Sequence, residues 1–326
     1  MRRFKNILAV YDLVPGCDET LQKAVDLASR NRARLTVVQA INPVANPRET
    51  IAERERLMQR IVEGIFLPDS QKAGVVRQGP PAECILEIAN RIGADLVITP
   101  DHNKGFAAQV LGFDISVELL RHANCPTWVV RTQSEANFKC IVAALNAGKA
   151  DALDCQANRR ILEIGSSLAV IEQAELHLVY AWDYEGRERD MMASELPRGK
   201  RNDISTQARL RSLKRIVELT EHVLGDFSDF KAVPIRGRPR GAIANYVKEQ
   251  DADLLIIDGQ VDNPIKAAFI ENTTTHLLRR SGCSVLCTRP APVPTSASVL
   301  DVAHAAVDFP RDARKGAVLS ANGPTP

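Results

Sequence analysis

The sequence predicts an α/β protein made of two tandem domains, each a five-stranded parallel sheet with helices on both faces. Three observations carry this. First, the chain repeats: Gly79-Pro80-Pro81-Ala82-Glu83-Cys84-Ile85, running on to Ala94-Asp95-Leu96-Val97-Ile98, returns as Gly237-Arg238-Pro239-Arg240-Gly241-Ala242-Ile243 and Ala252-Asp253-Leu254-Leu255-Ile256, an offset of 237 − 79 = 158 residues. Asp95 and Asp253, and Cys125 and Cys283, keep that offset, so about fifty residues recur without net insertion, and a period this long means duplicated domains. Second, short β-branched runs alternate with longer amphipathic ones, the pattern of parallel strands joined by helical crossovers. Third, 326 residues at about 150 per domain make two domains, each long enough to bury its own core.

Taken in order, Phe4–Tyr11 reads as a strand, Asp18–Asn31 as a helix, Arg34–Ile41 as a strand and Arg48–Phe66 as a helix. Strand Gly74–Gln78, helix Pro81–Ile92, strand Asp95–Thr99, helix Ile115–His122 and strand Thr127–Arg131 complete the first repeat. The second repeat follows the same order, from a strand at Phe138–Leu145 to one at Ser284–Arg289. Matching Asp12 with Asn146 gives an offset of 134, so 158 − 134 = 24 extra residues lie in its first half. Most fall in residues 183–202, a polar, mixed-charge stretch with Gly186, Pro197 and Gly199 that reads as a solvated loop. The domains are therefore residues 1–132 and 137–290, and the Ala-, Pro-, Ser- and Gly-rich residues 291–326 are expected to be a disordered tail.

Composition narrows the function classes. Hydrophobic content of 45%, charged content of 25% and a net charge of +2 give no electrostatic footprint for nucleic acid or a bilayer surface. No stretch approaches the roughly 18 apolar residues of a membrane span, and the apolar opening is broken by Asp12 without a cleavage site. Seven cysteines, with no C-x-x-C pair, read as reduced buried thiols of a cytoplasmic protein. The six histidines show no metal-ligand spacing, and no phosphate loop, G-x-S-x-G elbow or H-E-x-x-H helix is present, so no catalytic constellation is assembled in the sequence.

Several segments together resemble the universal stress protein family, specifically its tandem-domain E-type members, over about residues 1–290. They are Ile7-Leu8-Ala9-Val10-Tyr11-Asp12, the Gly-x-Pro segments before the third helix of each repeat, the Ala-Asp-Leu strands, and Leu119-Leu120-Arg121-His122-Ala123-Asn124-Cys125-Pro126-Thr127-Trp128-Val129-Val130. The resemblance implies a flavodoxin-like, Rossmann-like fold for each domain and a role in stress adaptation. It also implies pairing of the two fifth strands, around Trp128–Val130 and Val285–Cys287, as an intramolecular pseudo-dimer.

Ligands of such sheets bind beyond the carboxyl ends of the strands. Nucleotide-binding members of the family carry Gly-x-x-Gly, nine residues, then Gly-Ser or Gly-Thr, because glycines let backbone N–H groups close on phosphate and the hydroxyl and helix start complete the cradle. The matching positions here are Pro100, Asn103, Phe113 and Asp114 in repeat one, and Asp258, Val261, Glu271 and Asn272 in repeat two. Proline removes a donor, side chains fill the space backbone would need, and carboxylates oppose phosphate. Shifting the register by one residue brings Gly112 to the third glycine position.

The candidate crevice residues are therefore Asp12, which matches the family's nucleotide-contacting aspartate and equally suits a turn or helix cap, Gly112, Asn146 in place of Asp12, and Arg238. Arg238 stands with Arg236 and Arg240 after the third strand of repeat two, as an anion subsite or a solvated basic turn. The expectation is a binding or regulatory module without a cofactor, taking an unidentified small ligand or protein partner, with homodimerisation left open. ATP binding with weak ATPase activity in one repeat, and carriage of an apolar or lipid-like ligand over Phe113, Val261 and Phe269, are the alternatives.

Overall fold

The computed structural model describes residues 4–12, 16–42, 50–101, 115–131, 138–145, 156–182, 197–225, 229–259, 276–288 and 318–320. The chain divides into two compact units, Met1–Thr132 with Arg289–Pro326, and Gln133–Thr288.

Unit 1 contains β1 (Asn6–Val10), α1 (Cys17–Asn31), β2 (Arg34–Ile41), α2 (Ile51–Gly64), β3 (Lys72–Gln78), α3 (Pro81–Arg91), β4 (Leu96–Pro100), α4 (Ile115–His122) and β5 (Thr127–Val130). Its strands lie in the order β3-β2-β1-β4-β5, all parallel. Unit 2 contains β6 (Cys140–Leu145), α5 (Gln156–Glu172), β7 (Glu175–Trp182), α6 (Arg198–Leu224), β8 (Lys231–Arg236), α7 (Pro239–Glu249), β9 (Leu254–Asp258), a helix at residues 276–280, and β10 (Ser284–Thr288). Its order, β8-β7-β6-β9-β10, repeats that of unit 1 strand for strand. In both units the direction of winding reverses after the first strand, which opens a crevice at the carboxyl ends of β1 and β4, and of β6 and β9.

Alternation along the strands divides each sheet into two buried faces. In unit 1, Leu8, Val10, Val38, Val75 and Val97 pack with Ile85, Ile88 and Ala89 of α3 and Leu119 of α4. The intervening Ile7, Ala9, Leu35 and Val37 are equally buried, and α1 and α2 lie against these strands through Ala24, Leu27, Met58 and Val62. Gly74 lets α2 approach: a β-carbon there would meet Met58 Cγ at 2.5 Å and Val62 Cγ2 at 2.9 Å. Gly74→Val is therefore expected to cost about 2 kcal/mol by overpacking, read as a lower denaturation midpoint.

The Ala-Asp-Leu motif has a structural use in both units. Asp95 accepts from the backbone N–H groups of Lys5 (Oδ2, 2.7 Å) and Asn6 (Oδ1, 3.0 Å), while its own N–H donates to Asn6 O at 2.9 Å. Asp253 does the same for the start of β6, with Oδ2 at 2.6 Å from Lys139 N and 2.9 Å from Cys140 N, and its N–H 2.9 Å from Cys140 O. One carboxylate in each unit thus fastens the first strand to the fourth.

The boundaries differ from expectation in explicable ways. The second helix begins at Ile51, not Arg48, because Thr50 and Glu53 form a reciprocal capping box. β4 and β9 begin one residue after the aspartate, whose side chain is turned to the neighbouring strand. Residues 198–202, expected within the loop insertion, form the first turns of α6, a helix of 27 residues; residues 183–196 lie outside the described residues. Of the tail, Val318–Ser320 forms a short strand, β11, parallel to β3 with Leu319 opposite Val75. Unit 1 therefore has six described strands where five were expected, and the rest of the tail lies outside the described residues. The six described cysteines, Cys17, Cys84, Cys125, Cys140, Cys283 and Cys287, are buried.

Candidate functional site

The crevice of unit 1 is built at the ends of β1, β4 and β5. β1 ends by donating Tyr11 N–H to Val38 O at 2.8 Å, which delivers Asp12 half-buried at the head of α1. Gly16, with φ of 93°, makes the left-handed turn into that helix, and the Cys17 thiol donates to Asp12 Oδ1 at 3.1 Å. The Tyr11 hydroxyl donates to Asp18 Oδ1 at 2.8 Å, and burial, reinforced by Asp18, pushes its pKa up to about 12. Asp12 is thus held against the first turn of α1.

The parallel ladder of β1 and β4 runs from Ile7 opposite Leu96 to Ala9 opposite Ile98, and Asp12 and Asp101 each follow the end of one of these adjacent strands. Pro100 completes β4 opposite Val130, and its carbonyl accepts from the Ser116 hydroxyl at 3.0 Å at the start of α4. Asp101 donates its N–H to Val130 O at 2.9 Å, and its Oδ2 accepts from Arg131 Nε at 2.8 Å. The two side chains of this pair are only 4% and 12% exposed. The mouth of unit 1 therefore has a carboxylate following each of two adjacent strands, one of them paired with a part-buried guanidinium.

Unit 2 solves the same position with different residues. Asp258 ends β9, and its Oδ1 accepts from the Thr288 hydroxyl at 3.1 Å, while the Arg160 guanidinium of α5 lies 3.8 Å from the same oxygen. Gly259 N–H donates to Thr288 O at 2.8 Å, the counterpart of the Asp101 to Val130 bond. Here too a carboxylate and a guanidinium meet at the fourth strand's end, although the arginine comes from the first helix of the unit and not from the end of the fifth strand.

Of the predicted site residues, Asp12 and Arg238 are described; Gly112 and Asn146 lie outside the described residues, as do Asn103, Phe113, Asp114, Val261, Glu271 and Asn272. Arg238 is exposed at the N-cap of α7, with Arg236 exposed and Arg240 half-buried beside it. It stands at the end of β8, which β7 and β6 separate from β9. Three strand spacings make roughly 14 Å, so Arg238 does not converge on Asp258. Sequence reasoning missed Arg131, Ser116, Arg160 and Thr288; the signal for two of them was a polar residue closing the fifth strand's apolar run. Among the described residues no three His, Cys, Asp or Glu side chains gather as a metal site, and no helix is long and apolar enough to cross a membrane.

Comparison with known proteins matches this arrangement to one family. The sequence model of the "Universal stress protein family" matches residues 3–131 and again residues 151–289. Universal stress protein E of Photorhabdus laumondii is 22% identical over 308 residues, covering 89% of this chain and 96% of the relative. The universal stress protein E homolog of Haemophilus influenzae is 23% identical over 309 residues, with 89% and 98% covered. Among solved structures, a putative universal stress protein from Pseudomonas aeruginosa UCBPP-PA14 aligns with a TM-score of 0.66 at 19% identity, over 93% of this chain and 97% of that one. A universal stress protein from Archaeoglobus fulgidus aligns with a TM-score of 0.62 at 14% identity, over 88% and 97%. With both units matched by the family model and the same strand order in each, the chain belongs to the universal stress protein family as a tandem, two-domain member.

Proposed function

We propose that this protein is a cytoplasmic stress-response binding or regulatory module whose two nucleotide sites are degenerate, and that it acts by engaging a ligand or protein partner and not by catalysis. The observation that carries this reading is the Asp101–Arg131 pair. The family's phosphate cradle begins at the carboxyl end of the fourth strand, and here that position holds a proline, a buried carboxylate and the guanidinium that neutralises it. A triphosphate arriving there would meet Asp12 and Asp101, and Arg131, a described cation at that strand end, is already engaged. In unit 2, Asp258 supports the same conclusion.

The test is ligand-dependent thermal unfolding. A ligand that binds only the native state at 100 times its dissociation constant adds about 2.7 kcal/mol, which moves a midpoint by several degrees. Millimolar ATP with magnesium is expected to leave the midpoint unmoved. The second reading, an ATP-binding protein with weak ATPase activity in unit 1, is favoured by Asp12 at the end of β1. It predicts a rise of several degrees that Asp12→Ala abolishes, and that result would overturn the proposal.

A further inference from the structure

At the end of the unit 2 sheet opposite its crevice, four polar side chains from three elements meet. His177, on β7, is 2% exposed. The Tyr246 hydroxyl of α7 lies 3.0 Å from His177 Nδ1, with the rings 5.9 Å apart, and Cys140 Sγ of β6 lies 3.7 Å from the same nitrogen. Glu175 Oε2 is 3.3 Å from Nε2. Lys231 of β8 is the register partner of His177, Glu249 faces Tyr246 along α7, and Asp253 and Cys283 face Cys140.

The partners fix the tautomer. An ionised carboxylate only accepts, so Nε2 carries the proton and bonds Glu175, leaving the one lone pair of Nδ1 to accept from the Tyr246 hydroxyl, with the Cys140 thiol a weaker second donor at 3.7 Å. Both donors stay protonated through the physiological range, because burial pushes Tyr246 up to about 12 and Cys140 up to about 11. A second proton on Nδ1 would place a donor against two donors. Tyr246 would have to turn its hydrogen away, and a cation would stand in the core next to Lys231.

We propose that His177 is an acid-sensitive latch that fastens α7 to the sheet of unit 2, closed while the imidazole is neutral and released when Nδ1 is protonated. Burial, aided by Lys231 and opposed by Glu175, holds His177 below the ordinary imidazole range. The unfolded chain therefore binds the proton first. The latch contributes its full stability above the ordinary pKa of about 6.5 and loses it as the pH falls from there through the native value. The moving element would be α7, whose head carries Arg238 and Arg240.

Hydrogen exchange on the full chain tests this, at about pH 7.5 and about pH 5.5, on either side of the free imidazole midpoint. After correction for intrinsic rates, the α7 amides Ile243–Val247 should exchange severalfold faster at the acid pH, and the α3 amides of unit 1 should not. His177→Gln, which keeps an acceptor but cannot titrate, should flatten the α7 response. Tyr246→Phe, which keeps the ring, should give fast α7 exchange at both pH values. An unchanged α7 in the native chain, an undiminished acid response in His177→Gln, or an NMR titration midpoint for His177 at or above the free value would each overturn the latch.

Discussion

Asp95→Ala is expected to lower the stability of unit 1 by about 3 kcal/mol, the sum of two bonds from backbone N–H groups to a charged acceptor, each taken at the low end of its range. The carboxylate takes the N–H groups of Lys5 and Asn6 at 2.7 and 3.0 Å, and alanine leaves both without that acceptor where β1 enters the sheet. For a unit of this size the loss corresponds to a midpoint lower by roughly 10 °C. The chain has two tryptophans, Trp128 in β5 and Trp182 in β7, one in each unit. Trp128 fluorescence in a Trp182→Phe background therefore reports unit 1 alone. Asp95→Asn keeps one acceptor oxygen and should retain about half of the lost stability. Asp253→Ala should do the same to unit 2, seen through Trp182. A loss under about 1 kcal/mol would mean that water replaces the carboxylate at little cost.

This clamp shows what the sequence discloses and what it does not. The 158-residue register located Asp95 and Asp253, and the alternation of apolar runs placed β1 to β5 and the helices between them in order, but not β11. Both are periodic signals that neighbouring residues reinforce. The aspartate's role was hidden because its partners lie 89 and 90 residues away in the chain. The capping box at Thr50 was local and readable, and it would have corrected the start of the second helix. Residues 198–202 were read as loop on Gly199, the preceding Pro197 and their charge, but they begin a 27-residue helix whose later buried positions, Ile216 and Leu219, hold it to the sheet. At the crevice, sequence reasoning found Asp12 through its place after the first strand. It did not find Arg131, because its partner is set by which strand ends are adjacent, known only once the order β1-β4-β5 is known, or Arg160, whose partner depends on how the first helix of unit 2 packs over β9. The same limit hid Cys140, His177 and Tyr246, which three separate elements bring together.

Arg131→Met is the complementary test at the crevice, and it is expected to cost about 3 kcal/mol, the low end for removing one partner of a buried pair. The side chain keeps its apolar length, so the change is mainly electrostatic: Asp101, 4% exposed, loses the guanidinium at 2.8 Å. A surface pair would cost under about 1 kcal/mol and would vanish in molar salt, whereas this one should be less sensitive to salt because it is largely shielded from solvent. Asp101→Asn alone should be milder, since the amide carbonyl still accepts from Arg131 Nε. The double variant Asp101→Asn/Arg131→Met should recover at least half of the loss, because the charge that needed neutralising is gone. If Arg131→Met instead leaves the midpoint unchanged, Asp101 is solvated in solution and Arg131 is free to meet an anion. The pair would then be a gate and not a lock, and the case against phosphate at the mouth of unit 1 would rest on Pro100 and Asp12 alone.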